Sequence, residues 1–289
     1  MFNMKIAIIG TGNVGGSLAR IFTRKGHTVT IANSSNSPAL HELAKEIGAT
    51  PATVQDVAQG ADIVILSIPT KRMVDLPKEF LQTIAPGAIV IDTSNYYPLH
   101  RDGAIEPIEK GMPESRWVEQ QIKHSVIKAF SATNWYNLTE EIQSGLSRRL
   151  ALPVSGDDPA AKAIVSQLVT EAGFDPVDAG GLDESWRLQP GSPAYCTNLS
   201  VEEMHVALSQ ATNERKPDSS GIRDSEEELQ KAQEMQVAFF QAFDNAIQVL
   251  VESNQGTEAA VTKGIVDQFM SGRNPGDILA HVFEHKRLD

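Results

Sequence analysis

Six residues near the start of the chain, Gly10-Thr11-Gly12-Asn13-Val14-Gly15, have the types and spacing of a loop that accepts a diphosphate. Gly10 permits a tight turn, Gly12 lets the backbone approach the pyrophosphate, and Gly15 lets the following helix pack closely. The N-terminus of that helix adds N–H donors and a partial positive charge. The loop leaves a β-branched run, Lys5 to Ile9, and opens a helical pattern of Val14, Leu18, Ile21 and Phe22; a second run, Thr28 to Ala32, completes a βαβ unit. A glycine-rich turn without a ligand is the alternative, and three correctly spaced glycines in this setting argue against it. At the end of the second run an acidic residue would bind a ribose 2′-hydroxyl and repel a 2′-phosphate. Here the chain reads Ala32-Asn33-Ser34-Ser35-Asn36, with no carboxylate and several hydroxyls and amides, which favours NADP(H) over NAD(H).

The elements that must hold this loop are legible as further strand-like runs at Ile63 to Ile68, Ala88 to Asp92, Ser125 to Phe130, Leu150 to Val154 and, more weakly, Phe174 to Val177. Helical stretches alternate with most of them, the pattern of a parallel sheet covered on both faces. The fold class is therefore α/β, a Rossmann-type doubly wound parallel sheet, with an all-helical C-terminal region. The boundary falls at Gly180-Gly181: residues 1–180 form the NADP-binding domain, and 181–289 a helical region for the substrate cleft, dimerisation or both. In that region Ser225 and Glu228 have capping-box spacing, and Phe239, Phe240 and Phe243 share one face of a long helix with Leu229, Ile247 and Leu250. Such an aromatic stripe is core or subunit contact, and a homodimer is the expected assembly.

A formal net charge of −12 excludes general affinity for nucleic acid or anionic lipid, since both repel an acidic surface. One cysteine, Cys196, leaves no internal disulfide and no four-thiolate metal site, which fits a cytoplasmic protein. The apolar run ending at Gly10 is too short for a signal-peptide core or a membrane span. His281 and His285 are four apart around Glu284, but with no third ligand nearby they read as a solvated helix face, so no metal is expected.

The sequence also resembles a known group, the NADP oxidoreductases that use the deazaflavin coenzyme F-420 together with their bacterial relatives, the dinucleotide-binding reductases. The resemblance is carried by residues 8–16, 32–34, 61–69, 90–95, 126–130, 156–162 and 173–180, in the right order over roughly the first 190 residues. It implies that Gly10 to Gly15 hold the pyrophosphate and that Thr11 and Ser34 reach a 2′-phosphate. By the same resemblance Ser67, Ile68 and Pro69 line the adenosine side, while Thr93 to Asn95 with Ala129 and Phe130 form the walls around the nicotinamide. Ser35 departs from the pattern, because the family commonly has arginine there.

The function these readings imply is an NADP(H)-dependent oxidoreductase. Hydride would pass between the nicotinamide and a small-molecule redox substrate: a deazaflavin or flavin-like ring, or a small carbonyl or imine. The alternative is a non-catalytic NADP(H)-binding redox sensor, motivated by the long acidic tail. Transfer to a flavin-like ring needs only stacking, orientation and exclusion of water, so no catalytic residue is required. A carbonyl or imine would need a proton donor near the strand ends, where Lys128, Ser131, Asn134 and Tyr136 stand, each of them more readily read as structural. Lys71 and Arg72 are exposed basic residues that could meet an anion.

Overall fold

Each β-branched run becomes a strand because its side chains are buried on both faces between helices. The computed structural model describes residues 3–139 and 148–213, all of them within one compact unit. Its elements begin with β1 (Lys5–Ile9), α1 (Asn13–Arg24), β2 (Thr28–Ala32), α2 (Pro38–Ile47), β3 (Thr50–Pro51) and β4 (Ile63–Leu66). They continue with α3 (Lys78–Thr83), β5 (Ile89–Asp92), α4 (Glu106–Glu109), α5 (Glu114–Ile122) and β6 (Val126–Lys128). The last are β7 (Ala151–Val154), α6 (Pro159–Glu171), β8 (Asp175–Asp178) and α7 (Val201–Gln210).

Six strands form one parallel sheet in the order β3-β2-β1-β4-β5-β6. The chain moves outward from β1 in one direction and from β4 in the other, so the strand order reverses between β1 and β4. That reversal is the crevice where open α/β sheets bind their ligands. The register places Ala32, Ile9, Leu66, Asp92 and Lys128 side by side along the C-terminal edge. One further step of backbone bonding crosses this line: Gly10 N–H to Ala32 O (2.8 Å), Ser67 N–H to Ile9 O (2.8 Å), Thr93 N–H to Leu66 O (3.2 Å) and Ala129 N–H to Asp92 O (3.2 Å).

The strand-like runs near 150 and 175 do not extend this sheet. They pair with each other in parallel as β7 and β8, and meet the main sheet through one antiparallel bridge, Lys128 with Ser155. The reason is local: the Ser155 N–H and C=O bond the Lys128 backbone at 3.0 and 2.8 Å, and Gly156 lies against Ile127, where an added Cβ would stand 2.2 Å from Ile127 Cδ1. β3 has only two residues and follows α2 directly; no periodicity marks it in the sequence.

One face of the main sheet packs Ile9, Val64, Leu66 and Val90 against Phe80, Tyr96, Trp117 and Val118. A second apolar cluster joins Ala151 and Val177 of the small sheet to Leu188, Met204, Ala207 and Leu208, so residues after the Gly180-Gly181 pair fold back onto β7 and β8. His27, between α1 and β2, bonds Glu171 at the end of α6 at 2.6 Å, with both side chains buried. Residues 214–289, including the expected Ser225 helix and the His281/His285 pair, lie outside the described residues. Among the described residues no helix is long and apolar enough to cross a membrane, and no group of three or more potential ligands could hold a metal.

Candidate dinucleotide site

The glycine loop has the backbone its chemistry requires. Gly10 has φ +94°, a region that L side chains rarely adopt, and a Cβ there would lie 2.1 Å from the Ser67 carbonyl oxygen. A Cβ on Gly15 would lie 2.0 Å from Gly10 O, so α1 can begin this close to the loop only without a side chain. Gly12 differs: among the described residues nothing lies within 4 Å of its ideal Cβ, and it is exposed. The space over Gly12 is therefore open, as a site for an incoming phosphate must be. Gly12 is also the N-cap of α1, without a side-chain bond and with no acidic residue in the first turn, so the positive end of the helix is unneutralised. Asn13 and Val14 form that first turn.

Beside the loop, Asn33 sits one residue past β2, at the place an acid would occupy in an NAD-specific site. Its Oδ1 accepts from Ser35 N–H (3.2 Å), the Ser35 hydroxyl (3.1 Å) and Asn36 N–H (2.9 Å), closing a turn in which Asn36 has φ +41°. Its Nδ2 donates to Thr11 Oγ1 at 3.3 Å, tying the turn to the glycine loop. Several of the donors expected for a phosphate are thus engaged by Asn33, while the Ser34 side chain is left exposed.

Ser67, Ile68 and Pro69 leave β4 directly against Gly10 and Gly15. Thr93 donates its hydroxyl to Leu66 O at 3.1 Å, and Asn95 Nδ2 donates to Ser131 O at 3.0 Å, which couples the loops leaving β5 and β6. Ala129 and Phe130 are both buried. Phe130 packs edge-on against Phe22 of α1 at 6.2 Å, so its ring belongs to the core and what it offers this edge is backbone, turned by φ +60°. Every sequence-derived site residue lies on, or just beyond, one edge of the sheet.

Beneath the loops lies a group whose arrangement the sequence did not disclose. Lys128 and Asp92 are both fully buried and bridge at 3.3 Å; Lys128 Nζ also donates to the Ser94 carbonyl. Asp92 accepts in addition from Ser115 Oγ of α5 (2.6 Å) and from Ser94 N–H (2.9 Å). Lys128 is therefore a clamp on the loop carrying Thr93 to Asn95, not an exposed acid. Of the other proton-donor candidates, Ser131 is buried, while Asn134 donates to Cys196 O at 3.3 Å and Tyr136 is half-buried. Lys71 donates to Arg101 O and Arg72 pairs with Asp75 at 2.9 Å, so both basic residues have protein partners. Further along the same edge, Tyr97, two residues beyond Asn95, shares a hydrogen bond between hydroxyls with Tyr195.

Residues 5–96 match the family model described as NADP oxidoreductase coenzyme F420-dependent. YjhV of Escherichia coli (strain K12) is 44% identical over 63 residues, which are 22% of this chain and 46% of that protein. The chain spans about half, or less, of the length of the curated relatives it matches. Among solved structures, hypothetical protein SMa0349 from Sinorhizobium meliloti is 27% identical with a TM-score of 0.58, covering 68% of this chain and 95% of that one. A protein of Arthrobacter sp. FB24 named for F420-dependent NADP reduction is 24% identical with a TM-score of 0.54, covering 62% and 86% of the two chains, a likeness of fold.

Proposed function

We propose that this chain, whose residues 5–96 match the family model described as NADP oxidoreductase coenzyme F420-dependent, is an oxidoreductase that exchanges a hydride between NADP(H) and a small-molecule partner. The observation that carries the reading is the open space above Gly12, framed by two glycines whose absent side chains are required by contact with Ser67 and with Gly10 itself. A diphosphate fits such a cradle, because first-turn N–H groups and the helix dipole favour an anion even on an acidic protein. When bound, the nicotinamide supplies or accepts the hydride.

The residues of the chain do the rest. Gly10 to Gly15 bind the diphosphate. Asn33, Ser34 and Thr11 face the adenosine ribose, and the lack of a carboxylate beside them supports a preference for the 2′-phosphate. The preference is moderated by Asn33, which already holds the Ser35 hydroxyl and N–H. The half of the dinucleotide beyond the crevice meets the edge of β4 to β6, where Thr93, Asn95 and the backbone at Ala129 and Phe130 would orient the ring. The hydride partner is a deazaflavin or flavin-like ring, or a small carbonyl or imine.

Titration of both cofactors tests this reading. NADPH is expected to bind about tenfold tighter than NADH, the effect of one additional charge-assisted contact. Equal affinity, or tighter NADH, refutes the 2′-phosphate assignment. NADPH consumption in a screen of flavins, deazaflavin, carbonyls and imines separates an enzyme from a sensor, which would bind the cofactor without consuming it.

A further inference from the structure

The two phenols of Tyr97 and Tyr195 have been given no part in holding a dinucleotide, and nothing described so far explains why they meet. Tyr97 stands in the loop leaving β5, two residues past Asn95. Its N–H donates to Asp102 Oδ2 at 2.8 Å, and the Arg101 guanidinium, which also donates to Asn95 O, lies 5.0 Å over its ring. Tyr195 arrives from the other end of the described chain and is pinned to the loop leaving β6: the Cys196 N–H donates to Ala132 O at 3.0 Å, and Asn134 Nδ2 donates to Cys196 O at 3.3 Å. Cys196 adopts φ +50°, an uncommon conformation for a side-chain-bearing residue. Both tyrosines are half-buried.

The same two loops carry polar side-chain atoms with no hydrogen-bond partner among the described residues: Ser94 Oγ, Asn95 Oδ1 and Ser131 Oγ. Ser94 and Ser131 are only 5% and 3% exposed. Buried polar groups are ordinarily satisfied, so several orphans at one strand edge indicate a place completed by a ligand or its water. The nicotinamide half of a dinucleotide lies over this half of the sheet, because the adenosine half is fixed at the end of β2.

We propose that Tyr97 is the proton donor to the hydride acceptor, that Tyr195 relays the proton to it, and that the acceptor is accordingly a polarised C=O or C=N compound. This rests on the hydride-transfer reading above. As the acceptor carbon takes the hydride, the π pair of the double bond moves to the oxygen or nitrogen, which takes the Tyr97 proton. Tyr97 is reprotonated by Tyr195, and Tyr195 by water, so each turnover consumes one hydride and one solvent proton. Tyr97 rather than Tyr195 is assigned to the acceptor, since Tyr97 stands in the loop leaving β5, two residues past Asn95, whereas Tyr195 is held to the loop leaving β6 through Cys196. Burial pushes the Tyr97 phenol above its ordinary value, which keeps its proton in place at neutral pH until an oxyanion or amide anion develops beside it. Transfer to a flavin-like ring would need no such pair.

The test uses the full chain with NADPH and three probes, methylglyoxal, pyruvate and 1-pyrroline, with FMN alongside. The wild type is expected to reduce at least one C=O or C=N probe. Tyr97→Phe should lower kcat for that probe about 100-fold, the usual worth of a positioned acid, with NADPH affinity by fluorescence unchanged. Tyr195→Phe should lower kcat less and change the solvent isotope effect. A tyrosine difference spectrum on adding the probe to the NADP+-loaded protein should appear in the wild type and vanish in Tyr97→Phe. Wild-type kcat in a folded Tyr97→Phe overturns the proposal. So does NADPH oxidation by FMN with no turnover of the three probes, which leaves the oxidoreductase reading standing. Failure of the wild type to bind NADPH overturns both together.

Discussion

Three glycines in one loop carry three separable demands, and the difference between them can be measured. Gly10 and Gly15 are excluded from substitution by the protein itself, since their added Cβ atoms would strike backbone at 2.1 and 2.0 Å. Gly12 is not: its φ of −71° suits any residue and no atom of the described residues lies within 4 Å of its ideal Cβ. Gly12→Val is therefore expected to fold, losing only about 1 kcal/mol as a poorer N-cap, while the valine occupies the diphosphate's volume and weakens NADPH binding by roughly 100-fold or more. Circular dichroism with a fluorescence titration checks both halves, and a folded variant that binds normally sinks the site. The tight turn at Gly10 and the close helix packing at Gly15 were legible in the sequence because turn, helix and strand signals converge within a few residues. The engagement of Asn33 Oδ1 by Ser35 and Asn36 was not, because composition lists donors without saying which are already used.

Between elements, the consequential contact is the buried Asp92–Lys128 bridge, which joins the ends of β5 and β6 to Ser115 of α5. Removing one partner of such a pair leaves the other charge buried without compensation, at a cost of about 3–5 kcal/mol. Lys128→Met should therefore lower the Tm by roughly 10 °C in a domain of this size. Because Lys128 also holds the Ser94 carbonyl, NADPH affinity should fall as well. A thermal melt unchanged within about 2 °C would show that Ser115 and the Ser94 N–H satisfy Asp92 unaided. Five strands of the main sheet were readable as apolar runs, within a residue or two of their observed limits. The partition of the last two strands into a small sheet was not readable, since apolar runs alternating with helices look the same whether or not they join one ladder. The Tyr97–Tyr195 pair was equally hidden: its members stand 98 positions apart, and nothing local to either announces the other.

For the whole molecule, the phenylalanine face of residues 225–252 lies outside the described residues, and its cover remains a proposal drawn from pattern. An amphipathic helix beyond a sheet domain needs a second apolar surface, and two-fold association is a common way to provide one. Light scattering at micromolar concentration is expected to give twice the chain mass; a monomeric mass would assign those phenylalanines to the chain's own core. The main sheet has a further consequence for anyone wishing to rebuild this protein. The loops proposed to hold the dinucleotide all leave one edge, from Gly10 to Phe130, while the exposed turn at residues 85–87 sits at the other, just before β5 begins. The turns at 85–87 and at 34–36 are both exposed, yet they are not equivalent places to splice in a reporter or a fused domain. On the proposed placement of the cofactor, an insertion at 85–87 leaves the nucleotide edge as it is, whereas one at 34–36 lands at the ribose end of the crevice.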